Sequence, residues 1–312
     1  MLPQNNTPTR RLIVVVGPTA SGKSSLSIAL AQHFEAPIIS TDSRQLYRGI
    51  PIGTAQPTTE ELAAAEHHFI ACRELSDDYN AGVYEHDAVE SLNKLFEQHS
   101  TVVAVGGSGL YIQALCEGLD SLPEVDAELR ESIRCQYAEE GLQPLLDELQ
   151  RCDPECYERV DRCNPSRVMR AIEVCRTSAD GRYSSLRTTP NKVRDFEIVK
   201  IGLDLPRELL YRRIDDRVEQ MVAEGLEAEA RSVYPLRHLN SLQTVGYREI
   251  FAHFDGEYDL PRAIELIQRN TRRYAKRQMT WFRRDSSITW FTSYDPPAVI
   301  KWLEATPCLS TE

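Results

Sequence analysis

The stretch Gly17-Pro18-Thr19-Ala20-Ser21-Gly22-Lys23-Ser24 constrains this chain more than any other. It follows the apolar run Leu12-Ile13-Val14-Val15-Val16 and leads into Ser25-Leu26-Ser27-Ile28-Ala29-Leu30. A buried strand, a glycine turn and a helix start are the setting in which the pattern G-x-x-x-x-G-K-[ST] becomes a phosphate-binding loop. Gly17 and Gly22 let the backbone curl so that several N–H groups point inward. Those amides and the positive end of the following helix form an anion cradle. Lys23 adds a mobile positive charge, and Ser24 a hydroxyl for Mg²⁺. The loop predicts a bound di- or triphosphate and leaves open which one it is and what happens to it.

The rest of the first third extends an α/β pattern. A strand is expected over 11–16 and a helix over 23–34. Pro37-Ile38-Ile39-Ser40-Thr41 reads as a second buried strand that ends in Asp42-Ser43-Arg44-Gln45-Leu46-Tyr47. Ligands of open parallel sheets bind beyond the carboxyl ends of the strands, which places Asp42 beside the phosphate loop. Residues 49–60 read as a turn-rich active-site loop, 67–75 as a further strand and 83–98 as a helix. Thr101-Val102-Val103-Ala104-Val105 is a strand that breaks at Gly106-Gly107-Ser108-Gly109, a second glycine turn on the same edge.

Composition shifts at Leu122-Pro123. Residues 125–178 carry helical periodicity, with helices expected over 126–139, 142–151, 154–160 and 165–177, and 178–194 form a loop. A strand returns over 196–203. The expected fold is therefore an α/β, P-loop kinase-like parallel sheet flanked by helices. Its core comprises 1–121 and 195–312, and an all-helical domain is inserted over 122–194. One long helix is expected over 206–233, with Arg213 and Arg217 four apart beside its apolar stripe. Leu242 to Arg248 is a loop leading into a helix; another helix covers 260–284, a last strand 288–291 and a short apolar element 299–303.

The chain of 312 residues has a net charge of −11, so no global feature advertises nucleic acid. Against that background the run from Arg269 to Arg284 (RNTRRYAKRQMTWFRR) holds seven basic residues and no acidic one. Tyr274, Trp281 and Phe282 interleave with them, a mixture suited to phosphate contact and base stacking. A solvated helix face is the plainer explanation of the same charges. The eight cysteines form no C-x-x-C pair and lack metal-ligand spacing, as expected of free thiols in a reducing compartment. Residues 1–10 read as an unstructured polar segment without the apolar core of a signal peptide, and no run is long enough to span a membrane. A cytoplasmic protein is expected.

One absence shapes the chemistry. A P-loop NTPase holds Mg²⁺ with a second acid at the end of a neighbouring strand. Here the strand 101–105 ends in Gly-Gly, and Asp42 is the acid best placed near the loop. It is followed by Ser43, Arg44 and Gln45, which suit hydrogen bonding to a polar substrate. Asp42 is therefore a proton acceptor in this reading, a role for a carboxylate within reach of a nucleophile.

GPTASGKS, ISTDSRQLYRGIPIGTAQP, VVAVGGSGLYIQAL, RELLYRRIDDRVEQMVAEGLEAEA, LQTVGYRE and YAKRQMTWFR together resemble the tRNA dimethylallyltransferase family, in the same order and over residues 11–291. The resemblance implies transfer of the dimethylallyl group of dimethylallyl diphosphate to N6 of the adenosine just 3′ of the tRNA anticodon, with Mg²⁺. It implies that Gly17, Pro18, Thr19, Ala20, Ser21, Gly22, Lys23 and Ser24 hold the diphosphate together with Arg217. Thr19 would lie close to the reacting centre and Ser24 near the metal. Asp42 would be the general base, with Lys23 and Arg217 assisting catalysis. Contacts to the anticodon stem-loop would come from Asp42, Ser43, Arg44, Gln45 and Ser108, and from Arg130, Ser166, Arg167, Val168, Met169 and Arg170 in the insertion. Gln243, Thr244, Val245, Gly246, Tyr247 and Arg248, with Lys276, Arg277, Gln278 and Arg283, would grip it further. A monomer without an obligate protein partner is implied as well.

The chain departs from the family pattern in two places. Ser108 stands where the family often has threonine, and Gln56 replaces the lysine of a usual G-T-A-K-P. Eukaryotic relatives carry a zinc-finger extension; the tail here has only Cys308, which implies a bacterial-type enzyme without zinc. The competing functions are a small-molecule kinase using ATP at the same loop, a prenyltransferase acting on free adenylate, and a non-catalytic RNA-binding protein.

Overall fold

A computed structural model of the chain describes residues 10–187 and 192–306. The expectations for residues 1–9, for part of the 178–194 loop and for the tail with Cys308 lie outside them. The chain divides into two compact units, Met1–Cys116 with Val193–Glu312, and Glu117–Lys192.

The first unit is built on six parallel strands in the order β3-β2-β4-β1-β5-β6. They are β1 (Arg11–Val16), β2 (Ile38–Ser40), β3 (His67–His68), β4 (Thr101–Val105), β5 (Glu197–Leu203) and β6 (Ile288–Phe291). β1 is central and buried along its whole length, as a parallel strand covered on both faces must be. Helices α1 (Lys23–Phe34), α2 (Pro51–Thr54), α3 (Thr59–Ala64) and α4 (Ala81–Leu95) connect the first four strands, and α5 (Gly109–Glu117) follows β4. Ile13, Val15, Leu26, Leu30, Val103, Ile201 and Leu203 form one apolar core, which Val299 and Leu303 complete from the C-terminal side.

The second unit holds α6 (Ala127–Glu140), α7 (Gln143–Cys152), α8 (Pro154–Arg159) and α9 (Pro165–Thr177). Its own core comprises Ile133, Leu145, Leu149, Cys156, Val168, Ala171, Ile172 and Cys175. Asp153 caps α8 through Cys156 N–H at 3.0 Å and also accepts the Ser184 N–H and hydroxyl, each at 2.7 Å. One buried carboxylate thereby fixes the turn after α9 to the start of α8.

After β5 the chain forms α10 (Arg207–Ala223), α11 (Leu226–Val233), α12 (Tyr247–Phe254), α13 (Leu260–Phe282) and, beyond β6, α14 (Pro296–Ala305). The single helix expected over 206–233 is two helices. Gly225 takes φ +104°, a left-handed conformation that an α-helix cannot contain, and caps α11 instead. The expected loop 49–60 contains α2 and the start of α3. Thr58 and Glu61 form a capping box that starts α3, a side-chain exchange that outweighs the turn-rich composition. The strand expected over 67–75 reduces to the two residues of β3, with one isolated bridge between Tyr47 and Arg73. Phe69 and Ala71 have positive φ, which ends regular pairing there.

Candidate active site

The site lies at the carboxyl edge of β1, β4 and β2, three neighbours in the sheet whose order differs from their order in the chain. Val15 pairs with Val105, and Val105 with Ser40, so Gly17, Gly106 and Thr41 follow at nearly the same level. The fit is close enough to require glycine. A Cβ on Gly106 would lie 2.1 Å from the Thr41 hydroxyl and 2.7 Å from its backbone carbon. This is the crevice in which open α/β sheets bind ligands.

The phosphate loop has the form its sequence predicts. Gly22 (φ +93°) is the N-cap of α1, no side chain caps the helix, and no acidic residue occupies its first turn. The first-turn N–H groups are thus left for an anion. Thr19, Lys23 and Ser24 line the cavity in front of the loop, whereas Ser21 is buried. Lys23 Nζ donates to the Pro18 carbonyl at 2.6 Å. Burial, reinforced by the Arg217 guanidinium, pushes its ammonium down to about 7, with Asp42 pulling the other way.

Asp42 sits in a tight turn. Its Oδ1 accepts the Arg44 N–H at 2.8 Å and the Gln45 N–H at 3.4 Å, which leaves Oδ2 without a hydrogen-bond partner among the described residues. The next residues tie this turn to its surroundings. Ser43 N–H donates to Ser108 Oγ at 3.0 Å, and Ser108 Oγ donates to Ser43 Oγ at 3.1 Å. Arg44 reaches the Asn240 carbonyl, and Gln45 donates to the Ala55 carbonyl, both at 2.7 Å. Gln56 donates to the carbonyls of Gln45 (3.0 Å) and Tyr47 (2.7 Å). A neutral amide therefore braces the Asp42 turn where lysine is usual.

A cavity of about 400 Å³ joins these parts. Lys23, Arg44, Arg217, Arg248 and Arg277 border it against the carboxylates of Asp42 and Glu61, a lining that favours a polyanion. Arg217 enters from α10, and burial lowers its pKa while Asp42 raises it. Tyr274 from α13 faces the same space. Burial and the nearby Asp42 push its hydroxyl up to about 12, while neighbouring Ser108 pulls the other way.

Beside this cavity lies an open hollow of about 610 Å³, and Gln243, Val245, Arg248 and Arg277 border both. Arg269, Arg273 and Arg277, four residues apart on α13, line the hollow with Arg237. Of the acids there, Glu249 is engaged by Gly246 N–H (2.8 Å) and Asn270 Nδ2 (2.7 Å), and Asp255 accepts from the Tyr234 hydroxyl. Arg272 and Arg283 of the basic run are instead paired with Asp215 and Asp204.

The residues expected at the RNA divide into buried and accessible ones. Tyr247 is fully buried: its ring fills the space at Gly53, where a Cβ would be 2.5 Å away, and its hydroxyl donates to Glu229. Gly246 is buried beside it. Val168 lies in the core of the helical unit, and Met169 packs against that core. Ser166 and Arg167 are exposed on α9, while Arg170 pairs with Glu173 at 3.0 Å. Phe282 is 2% exposed and cannot stack on a base. Gln278 is 6% exposed and faces the sheet edge. Thr244, Val245 and Arg248 border the cavity, and Lys276 and Arg277 are exposed. Arg130 is half-buried near the start of α6.

Sequence reasoning missed Glu229. Its carboxylate accepts the Ile52 and Gly53 N–H groups, each at 2.8 Å, as well as the Tyr247 hydroxyl. It holds α2, and hence the Thr54–Ala55 corner of the cavity, from a position 177 residues away. In sequence it is one charge among several in a helix, and nothing local marks it.

Fold and site together define a P-loop α/β protein with a cation-lined cavity for a phosphate-bearing ligand. The family model for IPP transferase matches residues 45–285. The chain is 49% identical over 292 residues to "tRNA dimethylallyltransferase 2" of Parabacteroides distasonis, covering 94% of this chain and 97% of that one. It is also 49% identical to "tRNA dimethylallyltransferase 1" of Bacteroides fragilis, covering 95% and 98%. The crystal structure of the tRNA isopentenylpyrophosphate transferase of Bacillus halodurans superposes with a TM-score of 0.70 at 34% identity, covering 95% of this chain and 96% of that one. A eukaryotic dimethylallyltransferase acting on tRNA shares the fold at a TM-score of 0.78 and 22% identity, covering 97% and 82%. The chain belongs to the tRNA dimethylallyltransferase (IPP transferase) family.

Proposed function

We propose that this chain transfers the dimethylallyl group of dimethylallyl diphosphate to N6 of the adenosine just 3′ of the tRNA anticodon, releasing diphosphate. The observation that carries this reading is the single cavity lined by a phosphate loop, by one carboxylate in a braced turn and by arginines continuous with a basic hollow. Family membership supports the substrate pair.

In this mechanism the uncapped amides of α1, Lys23 and Arg217 hold the diphosphate and stabilise the charge that grows as its C–O bond breaks. Lys23 is charged when the anion is bound, because a nearby polyanion raises an ammonium pKa. The target base leaves its stack to enter the cavity, at a cost of a few kcal/mol that is smaller in a loop than in a duplex. The exocyclic nitrogen is a weak nucleophile because its lone pair is delocalised into the ring. Asp42 Oδ2 accepts its proton as the N–C bond forms, a role worth about 10²–10⁴-fold. The adenosine gains the prenyl carbon and loses a proton, and diphosphate leaves with the bonding electrons of the C–O bond.

The residues present fit Mg²⁺. No group of three or more His, Cys, Asp or Glu that could cage an ion occurs among the described residues. Ser24 does border the cavity, and a hydroxyl with diphosphate oxygens and water is a donor set that Mg²⁺ favours. When bound there, the ion would supply charge neutralisation to the leaving group.

On the RNA side, Arg44, Arg248, Lys276 and Arg277 contact the anticodon stem-loop, with Arg130, Ser166, Arg167 and Arg170 of the helical unit. Gly246, Tyr247, Val168 and Gln278 support their neighbours from buried positions. The test is single-turnover transfer from labelled dimethylallyl diphosphate to tRNA, with γ-labelled ATP in a parallel arm. Asp42→Ala should slow transfer about 10²–10⁴-fold with tRNA affinity unchanged. Near-full transfer by that variant would remove Asp42 as the base, and phosphate transfer from ATP would replace the prenyltransferase reading altogether.

A further inference from the structure

Gln278 connects three parts of the protein through one side chain. Its Oε1 accepts the Thr19 N–H of the phosphate loop at 2.9 Å. Its Nε2 donates to the Gly107 carbonyl, after β4, also at 2.9 Å. The amide packs against Gly107, where a Cβ would be 2.1 Å from Nε2. Its neighbours on the same face of α13 touch the same turn. Tyr274, one turn earlier, lies beside Ser108. Trp281, one turn later, covers Gly109, where a Cβ would be 2.3 Å from its Cδ1. Tyr274, Gln278 and Trp281, at the i, i+4, i+7 spacing of one helical face, thus cover Ser108, Gly107 and Gly109. Next to Gln278, Lys276 and Arg277 are exposed.

We infer that Gln278 is a positioning residue that couples RNA docking on α13 to the geometry of the diphosphate cradle. The inference rests on the prenyltransferase reading of the site. The physical reason is the bond to Thr19. A backbone N–H at the head of the phosphate loop has a fixed acceptor from the RNA-facing helix, so a shift of α13 along its axis must move Thr19 or break a part-buried hydrogen bond. Such a shift would also break the buried bond from Gln278 to the Gly107 carbonyl, and the elements therefore move together. Residues that only contact RNA, such as the exposed cations beside Gln278, have no such connection.

The consequence is reciprocal. RNA that seats α13 tightens the cradle for diphosphate, and diphosphate tightens RNA binding by the same factor. Gln278→Met keeps the length and apolar packing of the side chain but removes both hydrogen bonds. Gln278→Glu keeps an acceptor for Thr19 and places a second oxygen against the Gly107 carbonyl. The experiment measures the affinity of inorganic diphosphate with Mg²⁺, by calorimetry, with and without saturating anticodon stem-loop RNA. Wild type should bind diphosphate about tenfold more tightly with RNA, a coupling of ordinary size. In Gln278→Met the ratio should fall to within about twofold of one, with RNA affinity alone unchanged and kcat for prenyl transfer reduced about tenfold or more. Gln278→Glu should retain an intermediate ratio. Thermal melting of each variant tracks any purely structural effect.

A variant that loses stability but keeps the wild-type ratio and kcat overturns the inference, as does a wild type that binds both ligands with a ratio of one. If wild type binds the stem-loop but transfers no prenyl group, the functional reading fails separately, and the coupling ratio still decides the role of Gln278. Wild type that binds no RNA overturns both.

Discussion

Lys23 illustrates how one residue carries information that its motif does not. The pattern requires a lysine there, but the surroundings set its charge. Burial and Arg217 hold it down to about 7, against 10.5 for a lysine in an unfolded chain. Between those values the unfolded chain holds a proton that the folded chain has released. Lys23 therefore makes the unliganded protein more stable as pH rises across this window. Lys23→Met should gain melting temperature relative to wild type, and the gain should be larger at pH 7 than at pH 10. An equal gain at both values would show that Lys23 is not titrating in this range. Asp42, Ser108 and Gln56 were legible as residues of interest from the sequence. Their hydrogen bonds were not, because each partner is set by the sheet order or by a loop conformation.

At the scale of elements, the strand ends and α13 decide most. The glycines after β4 were visible as a turn; the reason for them is the approach of Thr41 and of Gln278. Gly106→Ala forces a Cβ into the Thr41 backbone, and overpacking of this kind costs about 1–3 kcal/mol. Urea unfolding should show that loss, and a variant as stable as wild type would mean that the β2 and β4 ends separate easily. The helical period of α13 was also legible, as was its excess of positive charge. Its division into faces was not, since a count of charge does not say which of the seven basic side chains face the hollow. The face with Tyr274, Gln278 and Trp281 is turned to the sheet edge, and Arg269, Arg273 and Arg277 line the hollow. Arg269→Ala and Arg273→Ala should each weaken tRNA binding and lower the slope of log affinity against log salt by about one. Diphosphate affinity should stay at the wild-type value. Unchanged salt slopes would assign the hollow to solvent.

At the scale of the whole molecule, the chain holds two separate cores. Leu149 is fully buried in the helical unit, far in sequence from the core beneath the phosphate loop. Leu149→Ala should destabilise that unit by about 2–5 kcal/mol. Hydrogen exchange should accelerate over 127–177 while amides of β1 and β4 keep their protection. Loss of protection in β1 as well would show that the two cores unfold together. The composition shift near residue 122 signalled a change of architecture because helical periodicity needs only local sequence. A net charge of −11 concealed the basic hollow, since a sum over the chain contains nothing about position.

The sequence by itself determined the phosphate loop, the strands β1, β4 and β5, the helical block and the family. These depend on short-range patterns: buried apolar runs, a glycine turn, helical spacing and motif order. Only the tertiary structure decided which residues line the cavity and which stand behind them. Glu229 reaches α2, Gln278 reaches Thr19, and Tyr247 fills the space at Gly53, each across a large gap in sequence. Such contacts follow from how parallel strands are ordered and how helices dock on their ends, and no local pattern encodes them. The same physics buries Tyr247, Val168 and Phe282, because a side chain packed in folding has little surface left to offer a partner.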